Sequence, residues 1–154
     1  MFKPLLNNEM REDVFNFLNN RFKEVPKAYR ILARKPEVMF KFVDFRDEIM
    51  KKGILNPKLK ELIAVKVSEV NRCNACYTIH KKKLDDVGFE HDEKCDEKIK
   101  IALDFAEKVA KKKGIIDDAT FQKLSKYYNE DEILEIALVV CLYMFLNTFN
   151  NLVD

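Results

Sequence analysis

Two cysteines and a histidine stand at a spacing suited to redox chemistry. Cys73-Asn74-Ala75-Cys76 is a C-x-x-C pair, and His80 follows four residues after the second thiol. On a helix, positions i, i+3 and i+7 share a face, so Cys73, Cys76 and His80 line up. A thiol in the first turn of a helix meets oriented backbone N–H groups and the positive end of the dipole, which favour thiolate over thiol, and Cys73 feels this most. His80, one turn beyond Cys76, can act as general base or charge partner for that thiol, which makes Cys76 the better-placed nucleophile. Once one thiol becomes a sulfenic acid, the other can condense with it to a disulfide.

A carboxylate precedes the pair. Glu61, Ser68 and Asn71 form a polar stripe that bypasses the apolar face of Leu62, Ile63, Val67 and Val70. If a helix over 57–70 packs beside one over 73–86, that stripe faces the thiols. Glu61 can then orient His80 or relay a proton. Taken alone, Glu61 reads as a first-turn acid favoured by the helix dipole more readily than as a functional group.

The elements that must position these residues read as helices. The chain has 154 residues, 47% hydrophobic and 35% charged, with only 3 Gly and 4 Pro. That composition suits one domain with a real core and few tight turns, an all-α protein. Met10, Val14, Leu18 and Phe22 share one helical face, and Pro26 opens a short second segment. Pro36 starts a helix that continues through Met39, Phe42, Val43, Arg46, Ile49 and Met50 and stops at Lys51-Lys52-Gly53. Asn56-Pro57 launches the helix carrying Glu61, and the helix carrying the thiols ends at Gly88. Ile99 to Val109 forms another, stopped at Lys111-Lys112-Lys113-Gly114. Asp117 caps a segment with Phe121, Leu124 and Tyr128 inward. Asn129-Glu130-Asp131-Glu132 resembles a capping box opening a last helix to about Asn151. From Ile136 to Leu146 that helix has no polar face, so it is expected to be buried all round, by its own core or by a subunit interface, with Cys141 packed inside.

The 28 basic and 26 acidic residues leave a net charge of +2, too little field to grip nucleic acid or an acidic membrane. The apolar run Ile136–Leu146 is shorter than the roughly 20 residues that span a bilayer. The N-terminal residues do not read as a signal peptide. The expectation is a cytoplasmic protein whose thiols serve chemistry rather than structural disulfides.

Glu61, then Cys73, Cys76 and His80, reproduce the Glu…Cys-x-x-Cys-x-x-x-His signature of the AhpD-like alkylhydroperoxidases in the carboxymuconolactone decarboxylase superfamily. Residues 60–73 resemble that family's core helix, and the similarity continues through Ile101–Lys108, Asp131–Ile136, Phe145-Leu146-Asn147 and Asn150, covering most of 36–154. The resemblance implies a single all-α AhpD-like domain of about seven or eight helices, with residues 1–35 as an N-terminal helical extension and 36–154 as the core. It also implies a homo-oligomer, a trimer or hexamer, and cofactor-free, thiol-dependent hydroperoxide reduction. Carried over, Cys76 is the peroxide-attacking thiol, Cys73 its resolving partner, and His80 with Glu61 the proton relay. The cycle then needs an external dithiol reductant, a thioredoxin-like or lipoyl-bearing protein. The best-known members place a histidine just before the second cysteine, where this chain has Ala75. The decarboxylase branch lacks the cysteine pair, so lactone decarboxylation is not expected.

Other readings use the same residues. Zinc could take Cys73, Cys76 and His80, but a structural site needs a fourth ligand, and His91, Cys95 and Glu61 stand at no recognised spacing. A disulfide reductase or a redox-sensing oligomer would need the same reactive pair. Lys81-Lys82-Lys83 reads as a solvated face.

Overall fold

The computed structural model describes residues 2–86 and 96–153. After a 3-10 turn at Asn7–Glu9 come eight α-helices: α1 (Glu12–Asn19), α2 (Lys27–Leu32), α3 (Pro36–Lys51), α4 (Pro57–Val70), α5 (Asn74–Asp86), α6 (Glu97–Lys111), α7 (Asp118–Ser125) and α8 (Glu130–Val153). No strand occurs among the described residues, and the all-α expectation holds.

Four of the eight helix starts follow from side chains that satisfy the free N–H groups of the first turn. Asn56, Asp96 and Asp117 each accept a hydrogen bond from a backbone N–H two or three residues on, all at 2.8 Å. At the head of α8 the capping box is reciprocal: Glu132 N–H donates to Asn129 Oδ1 at 2.9 Å, and Asn129 N–H donates to Glu132 Oε2 at 2.8 Å. Gly53, at φ +95°, takes the left-handed conformation expected of it after α3. Gly88, the expected stop of α5, lies outside the described residues.

Two apolar clusters hold the helices together. The larger is built from α4, α6 and α8, with Ile63, Val67, Ala102, Ala106, Ile136, Val139 and Val140 all fully buried. The alanines of α6 let it approach α4 closely. The smaller is the N-terminal layer of Val14, Leu18, Val25, Tyr29 and Ala33 against Met39 and Val43 of α3. Phe42 packs on both, so α3 is the seam between them.

One buried cation ties α3, α4 and α8 together. Lys60, with a side chain 1% exposed, donates to the carbonyls of Ile49, at 2.7 Å, and Lys52, and pairs with Glu135 of α8. Glu135 in turn accepts from the Ile54 N–H at 2.8 Å. The lysine therefore closes the carbonyl end of α3 and fixes the turn into α4.

Two side chains sit where periodicity alone did not put them. Phe121 is 47% exposed, while Leu124 and Tyr128 are buried as expected. α8 is not enclosed on all sides, and Cys141 is an exposed free thiol rather than a core residue. Leu134, Leu138, Cys141, Phe145, Thr148 and Leu152 all face outward. Their spacing alternates four and three residues, the stripe left when neighbouring helices cover only the opposite faces. The helix is also longer than its apolar run. By length and composition it could cross a membrane, and 44% of its most apolar window is buried inside the protein.

Replacing Lys60 by Met leaves Glu135 uncompensated at a mostly buried position. Denaturant unfolding should show a loss of about 3 kcal/mol or more, and a loss under about 1 kcal/mol would mean that the lysine does not tie these helices.

Candidate functional site

The site forms where α4 turns back into α5. Arg72 adopts φ +55°, an unusual conformation for a non-glycine residue. The Arg72 N–H donates to the Glu69 carbonyl at 3.1 Å, and the Cys73 N–H donates to the Ser68 carbonyl at 3.0 Å. These two bonds form a Schellman turn that ends α4 and delivers Cys73 at the head of α5. The hairpin is so tight that α4 and α5 pack along their lengths, bringing Glu61 beside His80 although 19 residues separate them.

Cys73 and Cys76 are joined as a disulfide, with Cα atoms 5.4 Å apart. Both are buried, but only Cys76 lines a cavity of about 470 Å³ that it shares with Ala75, His80, Tyr143 and Asn150. Asn150 Nδ2 donates to Cys76 Sγ at 3.2 Å. A hydrogen bond to sulfur favours the thiolate in the reduced form.

His80 is buried, and its Nδ1 is hydrogen-bonded to Glu61 Oε2. Lys83 reaches the other carboxylate oxygen at 3.2 Å. Burial pushes Glu61 upward, but the hydrogen bond from His80 and the charges of His80 and Lys83 outweigh it, so the carboxyl stays below its usual range and ionised. Burial also dominates His80 and holds it below the ordinary imidazole value, against the upward pull of Glu61. A neutral imidazole donating through Nδ1 to a carboxylate keeps Nε2 as a base. The edge of Tyr143 packs against the ring, with centroids 4.7 Å apart, and restricts its orientation.

Glu61, Cys73, Cys76 and His80 therefore come together. Ser68 does not join them: its hydroxyl bonds Asn147 of α8 at 3.2 Å. Lys83 is not merely part of a solvated face, since it holds Glu61 and lines the cavity. Asn150, Tyr143 and Arg46 were not expected at the site. Asn150 was visible only as part of the family likeness, and Arg46 only as a position in the apolar period of α3. For zinc, His91 and Cys95 lie outside the described residues, and among those described no group of three or more His, Cys, Asp or Glu side chains is arranged to hold a metal ion.

Comparisons with known proteins bear on the fold and the family. No curated protein matches the chain significantly in sequence. Among solved structures, a complex of the debrominase Bmp8 with 2,3,4-tribromopyrrole is similar at 20% identity and a TM-score of 0.83, over 98% of this chain and 88% of that one. An AhpD-core peroxidase-related protein of Ralstonia eutropha JMP134 is similar at 24% identity and a TM-score of 0.75, over 98% and 90% of the two chains. A peroxidase-related protein of Silicibacter sp. TM1040 is similar at 21% identity and 0.75, over 90% and 81%. At these identities the likeness establishes a shared fold. The sequence profile of the carboxymuconolactone decarboxylase family matches residues 36–115, which include the Glu61, Cys73, Cys76 and His80 set, and the chain accordingly belongs to the carboxymuconolactone decarboxylase family, with an AhpD-like fold.

Proposed function

We propose that the protein is a cofactor-free thiol peroxidase working through a Cys73–Cys76 dithiol/disulfide cycle. The observation that carries this reading is a disulfide whose second sulfur faces a cavity beside a buried His80 hydrogen-bonded to the partly buried Glu61. In the reduced protein, His80 Nε2 takes the Cys76 thiol proton, and the thiolate attacks one oxygen of a hydroperoxide. The O–O bond breaks, Cys76 becomes a sulfenic acid, and the proton on His80 is returned to the departing alkoxide, giving an alcohol. Cys73 then attacks the sulfenic sulfur, forming the disulfide and releasing water. An external dithiol reduces the pair by exchange and is itself oxidised.

The exposed 3-4 stripe of α8 supports a second part of the reading, a homo-oligomer in which another copy covers that stripe. A straight helical partner with the same spacing would seat these side chains between its own. Light scattering should give a mass that is a multiple of one chain, and Leu138→Lys should lower it. A monomeric wild-type protein removes this part of the account.

Three measurements test the catalytic reading. With a hydroperoxide and an excess of small dithiol, Cys76→Ser should lose turnover, whereas Cys73→Ser, reduced and then freed of dithiol, should react once with the hydroperoxide and stop as a sulfenate. Undiminished turnover in Cys76→Ser would refute the assignment, and preferential consumption of 2,3,4-tribromopyrrole over hydroperoxide would replace peroxide reduction with dehalogenation. His80→Ala should slow oxidation of Cys76 by about a hundredfold. Because His80 titrates below the ordinary value of 6.5, the base is lost only as pH falls through that lowered value, and the acid limb of the oxidation rate should lie below pH 6.5. Glu61→Gln removes the group that pulls His80 upward, so the limb should shift to still lower pH as the rate declines. A limb above 6.5, or one unmoved in Glu61→Gln, contradicts the relay.

A further inference from the structure

The cavity at Cys76 is much larger than hydrogen peroxide requires. Its volume of about 470 Å³ lies in the range of small-molecule sites, whereas a water molecule occupies roughly 30 Å³ in the liquid. Phe22, Val25 and Tyr29 of the N-terminal layer form one wall, and Ile79 and Leu146 supply apolar surface from α5 and α8. Ala75 adds only a methyl next to the reactive sulfur.

The charges around this apolar space are unequal. Lys27, Arg46 and Lys83 line it, against Glu24 as the one carboxylate residue. Arg46 is the most informative, because its side chain is only 12% exposed. Its one hydrogen bond among the described residues goes from Nη1 to Asp47 Oδ1 at 2.6 Å. Asp47 also binds Lys51 at 2.7 Å and lies 3.8 Å from Arg21, so a single carboxylate serves three cations. A guanidinium has five N–H donors, and most of those on Arg46 are unspent. It stands over the Phe22 ring at 5.3 Å, and its positive charge is felt at His80 and Tyr143. Tyr143 lines the same cavity and has a buried hydroxyl with no hydrogen-bond partner among the described residues.

Resting on the peroxidase reading, the geometry points to an organic hydroperoxide with an apolar or aromatic body and a carboxylate held by Arg46. The planar fork of a guanidinium matches the two oxygens of a carboxylate. The apolar walls take the body, and the hydroperoxide group reaches Cys76. The redox step is unchanged: the peroxide oxygen bonded by Cys76 is reduced, the sulfur is oxidised, and the other oxygen leaves as the hydroxyl of a carboxylate-bearing alcohol.

A matched pair of probes tests this, cumene hydroperoxide and its para-carboxylate, with rapid-quench thiol counting on the reduced protein. The carboxylate should oxidise Cys76 at least about tenfold faster, and Arg46→Gln should bring the ratio of the two rates close to one, with Arg46→Lys between. The two alcohol products, titrated into the disulfide form by calorimetry, give an independent readout in which the carboxylated alcohol should bind more tightly. Equal rates and equal binding in the wild type, or a preference that survives in Arg46→Gln, would overturn the inference and leave the peroxidase reading standing. Arg46-dependent binding of the carboxylated alcohol with no thiol oxidation by either peroxide would uphold the anion site and refute the peroxidase reading.

Discussion

The site depends on how α4 ends. A left-handed Arg72 and two hydrogen bonds back to Ser68 and Glu69 reverse the chain within two residues. Such a conformation costs a non-glycine residue about 1 kcal/mol or more, which the packing of α4 against α5 must offset. The return has a chemical consequence. It places Cys73 at the head of a helix and sets His80 against Glu61, so a carboxylate and an imidazole distant in sequence become one hydrogen-bonded unit. A longer turn would let α5 slide or rotate, and a shift of one residue would carry His80 about 100° round its helix and off the carboxylate.

Around that hairpin the protein is built in two layers with different duties. The α4, α6 and α8 core, closed by Lys60 and Glu135, backs the α4–α5 hairpin that carries Glu61, Cys73, Cys76 and His80. The N-terminal layer contributes none of those groups, yet its Phe22, Val25 and Tyr29 form the outer wall of the cavity. It meets the rest of the molecule through α3, which also supplies Arg46, and through α2 against α8. On the proposed function, chemistry and substrate selection fall to different parts of the chain.

Much of this was legible in the sequence, because local rules govern it. Caps at Asn56, Asp117 and Asn129, prolines at first-turn positions and the helical period located the starts of α3, α4, α7 and α8 to within a residue or two, whereas α1 and α7 end short of Phe22 and Tyr128. The chemistry of Glu61, Cys73, Cys76 and His80 was visible because three of the four lie on one helix and the fourth on its hairpin partner. What local rules could not show depends on tertiary neighbours. Cys141 sits in a wholly apolar run, but the helices packed against α8 leave one side of it uncovered, and its outward face depends on where they lie. Phe121 is exposed because α7 turns Leu124 inward instead. Asn150 and Arg46 come to the thiols from α8 and α3, 74 and 30 positions from Cys76 in sequence, and no spacing rule connects them.

The central claim is that Cys73 and Cys76 form a redox-active pair, and intact mass with peptide mapping tests it most directly. Fully reduced, metal-free protein treated with one equivalent of an organic hydroperoxide should lose the mass of two hydrogens, mapped to a Cys73–Cys76 disulfide, while Cys141 remains a thiol. Unchanged mass, or oxidation confined to Cys141, would contradict the account and leave the Glu61–His80 pair as a structural contact.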